Sequence, residues 1–307
     1  MRKYLAPTLM LVLIASYVSL AADWPQFLGP DRNAVSTETG LKRSCPEGGP
    51  KVLWTFPLAE GFAGPAVSDG KVYVLDRKGS EQDVLRCIDL VTGKEEWTFA
   101  YDAAGTFDRH GSRSVPTIEG NYIYTCGPLG HVRCVDKVTH QMVWKKNVWR
   151  AFSKEKVPTW GISQSPLIYG DLLILASQTK KAGVVAYDKL TGSVQWTSAK
   201  LPGKPGYVSP KVINLGGDDQ LVMISANGAV VGMELTTGKF LWSYNGWQCK
   251  IPVPNVTEIG DGRIFITGGY KAGSAMIVER AAGSLLRLIC PLNGQVARST
   301  SLTAKLV

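Results

Sequence analysis

The 307-residue sequence is poor in the residue groupings that mark metal sites and many enzyme sites. It has three histidines, and its six cysteines include no C-x-x-C pair, so a zinc or redox motif has no support. No glycine-rich segment carries the spaced Gly-Lys-Ser/Thr of a phosphate-binding loop. No basic stripe alternates with aromatic residues, which argues against nucleic-acid binding. Sustained helical periodicity is also missing, which argues against an α-helical fold.

The sequence does contain one eleven-residue pattern in four copies. The pattern is a small residue, any residue, an acid, two of any type, Thr, Gly, three of any type and Trp. The copies occupy residues 87–97, 134–144, 186–196 and 232–242. A second landmark keeps a similar period, namely Pro65, Pro116, Pro166, Pro210 and Pro254. A fixed period near fifty residues predicts an array of equal supersecondary units.

Each unit is predicted to contain four short β-strands. In the second unit the strands are expected at residues 115–118, 122–125, 132–135 and 141–144, which are rich in β-branched and aromatic residues. Leu129-Gly130 is expected to form a two-residue hairpin turn. That turn places Cys126 opposite Arg133, with its sulfur on the face away from Cys134. Four-stranded units at this period predict an all-β propeller.

The Trp that closes each copy is expected to pack against a small residue. The indole ring buries a large flat surface, and the first position of the copies is Cys87, Cys134, Ala186 or Gly232. The two cysteines are therefore predicted to be buried small hydrophobic residues and not disulfide partners. The predicted structural docking residues are Trp97, Trp144, Trp196, Trp242, Gly93, Gly192, Gly238, Asp89, Asp136 and Asp188.

The four copies resemble the tryptophan-docking motif of pyrroloquinoline-quinone-like (PQQ-like) β-propellers. The resemblance covers roughly residues 51–280 and implies a ring of four-stranded blades, in which the Trp of one blade docks between the small residue and the Gly of a neighbouring blade. Residues 24–32, followed by 46–50 and Trp54, resemble the opening of exported quinoprotein-like propellers from planctomycete-type bacteria. The resemblance implies the same fold for this chain.

The sequence departs from the family motif in three places. His140 replaces the motif Gly, so a strained turn or another turn type is expected there. Glu234 replaces the motif Asp. After Glu279 the sequence has no Asp, Glu or Trp, so the fifth unit, which begins at Pro254, is expected to lose its second half. We therefore expect an incomplete propeller of about five blades over residues 51–280, with 281–307 as an atypical tail. A shorter propeller with an irregular last blade is the alternative.

The N-terminus has the pattern of a secretory signal. A basic start is followed by an apolar run that ends in small residues, which predicts a signal peptide over residues 1–22. An uncleaved anchor is the alternative, although the run is short for a membrane span. Residues 23–50 are predicted to form an N-terminal arm. The mature chain is expected in the periplasm or outside the cell. The formal charge of the whole sequence is +9, and its scattered lysines are attributed to solvated loops.

The binding site is expected at the mouth of the propeller axis or on one flat face of the propeller. The segments that lead into the first strands run nearest the axis, and loops carry function more often than the strands that they connect. The candidate binding rim consists of Arg113, Trp160, Gln164 and Tyr207. The alternative is that these side chains only cover the blade tips.

Three functions stay open at this point. The first is a non-enzymatic exported scaffold that binds a protein or glycan partner, because the resemblance includes outer-membrane assembly lipoproteins that act by binding. The second is a PQQ-dependent oxidoreductase, which needs oxygen ligands for Ca²⁺ and an Asp base. The sequence has no Cys-Cys pair and no such constellation, so no catalytic, cofactor or metal residue is assigned. The third is a truncated gene product without activity, and the open edges of an incomplete ring predict self-association.

Overall fold

A computed structural model of the chain describes residues 22–42, 44–280 and 284–288. The signal peptide predicted over residues 1–22 lies outside these ranges except for Ala22, and so does most of the predicted tail. Within the described ranges the regular structure consists of β-strands, and no helix is long and apolar enough to cross a membrane.

The described chain forms five four-stranded antiparallel sheets, which we call blades 1 to 5 in chain order. Blade 1 contains β1 Ala66–Ser68, β2 Lys71–Lys78, β3 Gln82–Asp89 and β4 Glu95–Asp102. Blade 2 contains β5 Thr117–Glu119, β6 Tyr122–Cys126, β7 His131–Asp136 and β8 Met142–Asn147. Blade 3 contains β9 Leu167–Tyr169, β10 Leu172–Leu175, β11 Val185–Asp188 and β12 Val194–Thr197.

The last two blades follow the same order. Blade 4 contains β13 Lys211–Leu215, β14 Asp218–Ile224, β15 Val230–Glu234 and β16 Phe240–Tyr244. Blade 5 contains β17 Thr257–Gly260, β18 Arg263–Gly268, β19 Gly273–Arg280 and β20 Ser284–Leu288. Each blade is a simple meander in which every strand pairs with its neighbour in sequence. The prediction of an all-β, propeller-type fold with five blades is confirmed.

The hydrophobic core lies between the blades. Four clusters of buried side chains occur in the described chain, and each joins two consecutive blades. The cluster between blades 2 and 3, for example, packs Tyr124 and Cys134 against Leu173 and Tyr187. A single twisted sheet cannot bury both of its faces, so each blade depends on its neighbours for stability.

The Trp at the end of each motif packs against two blades. In its own blade it lies directly across from the small residue, as in the pairs Cys87–Trp97 and Gly232–Trp242. A β-carbon at Gly232 would overlap the Trp242 indole, which explains the requirement for a small residue there. Every one of these four strand pairs also has a β-bulge immediately after the small residue.

In Trp144 and Trp196 the other side of the indole lies against the Thr-Gly turn of the next blade. A β-carbon at Gly192 would lie 2.7 Å from Cδ2 of Trp144, and the Trp144 Nε1 donates to the Lys189 carbonyl at 2.9 Å. Gly238 has the same relation to Trp196, at 2.5 Å. Glycine is needed at these turns for two reasons, because φ is positive (+69° at Gly192) and because the ring occupies the space of a side chain.

His140 occupies the glycine position of blade 2 without changing the turn type. Its φ is +58°, and its N–H donates to the Asp136 carbonyl at 2.9 Å, as the Gly93 N–H donates to Asp89. The left-handed conformation is strained for a residue with a β-carbon. The imidazole stacks on the Trp97 indole with ring centroids 4.4 Å apart and an interplanar angle of 21°. In this blade, stacking of the two rings therefore replaces the contact between indole and glycine.

The carboxylate of the motif acid accepts hydrogen bonds from the backbone of the same turn. Oδ1 of Asp188 accepts hydrogen bonds from the N–H groups of Leu190 and Thr191 at 3.0 and 2.8 Å, and Asp136 does the same in blade 2. These donors, the Thr191 N–H first, hold the pKa of Asp188 below its ordinary value. Glu234, which is longer by one methylene, instead accepts from the hydroxyls of Thr236 and Thr237.

Two details of the sequence-based prediction are wrong. The hairpin of blade 2 closes between Gly127 and His131, whose N–H and carbonyl are 2.8 Å apart, so the connection is one residue longer than a Leu129-Gly130 turn. The register therefore pairs Cys126 with Val132 and not with Arg133. A shift of one residue reverses the face of a strand, and Cys126 and Cys134 share one core cluster. Cys87 and Cys134 are buried free thiols, as predicted for small hydrophobic residues, and Cys126 is a buried free thiol as well.

The second error concerns the fifth blade, which does not lose its second half. β19 is followed by β20, and Ile277 pairs with Arg287 as Gly232 pairs with Trp242 in blade 4. The sequence carries a weak copy of the motif there, with Glu279 at the acid position and Gly283 at the glycine position. The copy is obscured because Arg stands where the other blades have Trp.

We expect Gly192→Ala to destabilise the protein more than Gly170→Ala. Both glycines have positive φ, +69° and +56°, and therefore share a backbone cost of about 1–2 kcal/mol. Only Gly192 faces an indole, since nothing lies within 4 Å of a β-carbon at Gly170. The clash with the indole should cost Gly192→Ala about 1–3 kcal/mol more. Urea titration measures this cost as the difference in unfolding free energy between the two variants. Equal losses for the two variants would show that Trp144 does not need the glycine.

The motif acids predict a loss of stability in acid. The pKa values of Asp136 and Asp188 are lowered in the folded protein, so their contribution is full above the unfolded value of about 3.9 and is lost as the pH falls through the folded values. We expect Tm to drop steeply below about pH 4, and the drop to be smaller in Asp188→Asn. Asp31→Asn, at an exposed position, should leave the profile unchanged. A profile of Asp188→Asn that matches the wild type would contradict the assignment.

Candidate axial binding site

An open cavity of about 440 Å³ lies where the segments leading into the first strands of the five blades converge. The residue immediately before each of the five recurring prolines lines it, and these residues are Gly64, Val115, Ser165, Ser209 and Val253. Because each blade contributes the same position, the cavity marks the propeller axis. We refer to it as the axial cavity.

The wall of the axial cavity is largely aromatic. It includes Phe27, Phe62, Trp160, Tyr207 and Tyr270, which come from the N-terminal arm and from four different blades or their leading segments. The Trp160 and Tyr207 rings are 5.2 Å apart between centroids and tilted by 42°. Tyr270 is 70% exposed, so one ring stands free at the rim.

Arg113 supplies positive charge to this wall. Its guanidinium lies over the Phe62 ring, 4.4 Å from the centroid, and 5.6 Å from that of Phe107. It donates to the backbone carbonyls of Asp108 and Arg109. Burial lowers the pKa of Arg113 from its ordinary value, yet arginine stays charged at neutral pH. The second arginine of the cavity is Arg109.

Hydrogen bonds tie the inner ends of blades 2 to 5 together beneath the wall. The Val115 N–H donates to Oγ of Ser165 at 3.0 Å, and the Ser165 N–H donates to Oγ of Ser209 at 2.9 Å. Nδ2 of Asn255 donates to the Ser209 carbonyl at 2.9 Å. Each bond joins one blade to the next, so the small polar residues at these positions set the spacing of the cavity floor.

The N-terminal arm reaches the axis and is anchored there by Arg32. Trp24 exchanges two backbone hydrogen bonds with Val67 of β1, and Phe27 lines the cavity. Arg32 is 6% exposed, and its guanidinium donates to the carbonyls of Pro166 and Pro210 at 2.9 and 3.3 Å. These carbonyls belong to the segments that lead into blades 3 and 4, so the Arg32 guanidinium bridges two blades. Burial lowers the pKa of Arg32 to about 10.

The structure brings three of the four predicted rim residues into this cavity. Arg113, Trp160 and Tyr207 all line it. Gln164 points elsewhere, because it is 2% exposed and its amide exchanges two hydrogen bonds with the backbone of Ala176, both 2.6 Å.

Several cavity residues were absent from the predicted rim. These are Phe27, Phe62, Arg109 and Tyr270. The proline landmark held a usable signal, because Phe62, Arg113 and Tyr207 each stand three residues before one of the recurring prolines. Phe27 had no such signal, because only the folding of the arm brings it to the axis.

Comparison with known proteins agrees with this architecture. The family model described as outer membrane protein assembly factor BamB, a PQQ-like repeat family, matches residues 80–248, more than half of the chain. The chain belongs to that family. No curated protein sequence matches this PQQ-like repeat protein.

Solved structures share the fold at low sequence identity. BamB from Moraxella catarrhalis is 19% identical with a TM-score of 0.56, covering 78% of this chain and 67% of its own. The quinohemoprotein alcohol dehydrogenase from Comamonas testosteroni is 16% identical with a TM-score of 0.56, covering 83% and 46%. A europium-containing methanol dehydrogenase is 14% identical with a TM-score of 0.50, covering 74% and 49%. The chain thus spans about half the length of the two dehydrogenases, and the likeness concerns the fold.

The residues of the axial cavity do not fit a quinone–calcium centre. Ca²⁺ takes about 6–8 oxygen ligands, usually with carboxylates among them. The charged residues that line the cavity in the described chain are Arg109 and Arg113, and its side-chain oxygens come from Ser, Tyr and Asn255. Among the described residues no group of three or more His, Cys, Asp or Glu could hold a metal ion.

We expect Arg32→Ala to loosen the arm from the axis. The variant loses charged hydrogen bonds to Pro166 and Pro210, and we expect the unfolding free energy to fall by about 2 kcal/mol. Arg32→Lys should recover less than half of this loss, because an ammonium group cannot replace the planar fork that joins two blades. Limited proteolysis should cleave within residues 22–40 faster in Arg32→Ala. Lys42→Ala, at an exposed position, serves as the control. An unfolding free energy of Arg32→Ala equal to that of the wild type would contradict the bridging role of Arg32.

Proposed function

We propose that this PQQ-like repeat protein is an exported, non-enzymatic scaffold whose axial cavity binds a protein partner. One observation carries the proposal: every blade contributes to one open cavity that combines five aromatic rings with two arginines. Aromatic and arginine side chains dominate the binding energy of protein interfaces. The family match to an assembly factor supports a scaffold role.

The chemistry of the cavity specifies the partner segment. Its rings favour an apolar or aromatic side chain, and Arg113 favours a carboxylate next to it, since charged hydrogen bonds to arginine are among the strongest. Arg113 is held between Phe62 and Phe107, so little side-chain entropy is lost when a carboxylate binds. We therefore infer a short acidic and aromatic segment of a protein as the ligand.

The proposed localisation of the protein is inferred from the first residues of the sequence. The basic start and the apolar run over residues 1–22 support export to the periplasm or the cell exterior. The division into an arm over residues 23–50 and repeats from 51 onward is part of the same proposal. In it the arm completes the axial cavity through Phe27 and Arg32.

The proposal is tested by selecting heptapeptides from a random phage-displayed library on the purified chain. We expect enrichment of peptides that place Asp or Glu beside an aromatic residue. The best peptide, measured by calorimetry, should bind Arg113→Ala and Tyr270→Ser at least about tenfold more weakly, a loss of about 1.4 kcal/mol. Tyr270 is exposed, so its substitution leaves folding intact even if Arg113→Ala destabilises the chain.

The matched control is Arg263→Ala, which removes a partly exposed arginine that does not line the cavity. It should bind the selected peptide with wild-type affinity. If all three variants bind the peptide with wild-type affinity, the axial cavity is not the partner site. The same conclusion follows if no peptide sequence is enriched on a protein that unfolds cooperatively. Binding on a glycan array that depends on Tyr270 would replace the protein partner by a sugar. Uptake of added quinone and Ca²⁺ with oxidation of an alcohol would replace the scaffold by a dehydrogenase.

A further inference from the structure

A groove of about 160 Å³ is formed by three connecting segments of blades 2 and 3. These segments are residues 149–155 after β8, the hairpin at 178–180 between β10 and β11, and residues 200–205, which link β12 to β13. Three lysines line the groove, and we refer to it as the lysine groove. They are Lys180, Lys200 and Lys204.

The walls of the lysine groove concentrate positive charge that is dispersed in the sequence. Residues 150–156, 180–181 and 200–204 contain a single acid, Glu155. Along the chain the basic residues stand in separate loops, but folding brings these loops to one groove. Like charges that line a cleft raise the local concentration of anions. Besides the three lysines of the groove, the same segments carry Arg150, Lys154, Lys156 and Lys181.

Two lysines of the groove lack the acidic partner that lysines have elsewhere in the protein. Nζ of Lys137, for example, lies 2.6 Å from Oδ2 of Asp69. In the part of the chain that the structure describes, neither Lys200 nor Lys204 has a carboxylate oxygen within 4.0 Å, and both are exposed. Their charge is therefore available to an anion from outside the protein.

The third lysine, Lys180, holds the one ion pair of the groove. Its Nζ lies 2.7 Å from Oε1 of Glu155, and the two side chains are 76% and 64% exposed. An ion pair that is this exposed contributes little to stability. An anion of higher charge can therefore take the place of the Glu155 carboxylate, and Glu155 itself opposes the binding of that anion.

Hydrogen bonds fix the backbone on which the lysines stand. The amide of Gln178 donates to the Gly206 carbonyl at 3.1 Å and accepts from the Gly206 N–H at 2.7 Å. The backbone of Lys204 exchanges two hydrogen bonds with Ala226, at 2.8 and 2.9 Å. Only the ends of the lysine side chains must be ordered when a ligand binds, which keeps the entropy cost of binding small.

We propose that the lysine groove binds a phosphate group. The ammonium group of lysine is a compact charge that suits phosphate, and a phosphate dianion offers three oxygens to three lysines. The groove volume is about 160 Å³, below the roughly 300–1,000 Å³ of pockets for drug-sized ligands, so it favours a group of the size of phosphate. The proposal does not depend on the function proposed for the axial cavity, because the two sites share no lining residue.

The proposal is tested with inorganic phosphate as the probe, by calorimetry at about pH 8, where phosphate is a dianion, and at constant ionic strength. We expect the double variant Lys200→Gln/Lys204→Gln to bind phosphate at least about tenfold more weakly than the wild type, because two attractive charges are lost. Glu155→Gln should bind at least about threefold more tightly, because the one repulsive charge is removed. A gain of affinity cannot result from a folding defect.

Matched controls carry the same changes of charge outside the groove. Lys94→Gln/Lys239→Gln removes two exposed lysines from Thr-Gly turns, and Asp171→Asn removes an exposed acid. Both controls should bind phosphate with wild-type affinity. If the two lysine double variants weaken binding equally, net charge explains the effect and the proposal is overturned.

Other outcomes decide between sources of the phosphate or reject the site. Wild-type affinity in both Lys200→Gln/Lys204→Gln and Glu155→Gln would overturn the proposal, and so would a heat of binding that chloride reproduces at the same ionic strength. Vesicles with phosphatidic acid that bind the wild type and not Lys200→Gln/Lys204→Gln would assign the phosphate to a lipid headgroup. Saturable binding of inorganic phosphate without such vesicle binding would assign it to a soluble ligand.

Discussion

The contact between an indole and a glycine turn holds the blades of this protein together. Each docking Trp lies across from a small residue in its own blade. Trp144 and Trp196 also lie against the Thr-Gly turn of the next blade, at Gly192 and Gly238. The contact needs three things at once: a ring, a small residue across the pair, and a turn with no side chain in the way. The eleven-residue motif contains all three, which is why it recurs in each of blades 1 to 4.

The axial cavity follows from the same repetition. Because the blades are equivalent, the residue before each recurring proline reaches the axis. The docking contacts do not involve these positions, so the residue type there can differ from blade to blade. In blades 3 and 4 it is the serine that forms part of the cavity floor. The arm then adds Phe27 to the wall and Arg32 beneath it. The scaffold and the candidate binding chemistry are thus built by different parts of the repeat.

Local rules account for most of the correct expectations and for the errors. The fold could be predicted because period, turn residues and the Trp-to-small spacing all act within one blade. The hairpin of blade 2 was misplaced by one residue because Leu129-Gly130 suits a two-residue turn, whereas the register is decided by which side chains reach the core. The second half of blade 5 was missed because Arg287 stands at the Trp position, although its strand still pairs.

The sequence by itself determined the repeat, the four strands of blades 1 to 4 and the pairing of each docking Trp with a small residue, because these depend on residues less than fifty positions apart. Only the tertiary structure decided which side chains share the axis. Trp160 and Tyr207 come from different blades, Gln164 turns away to bond Ala176, and Arg32 crosses to Pro166 and Pro210. Such meetings depend on how the blades are placed around the axis, and a motif that describes one blade contains no information about that placement.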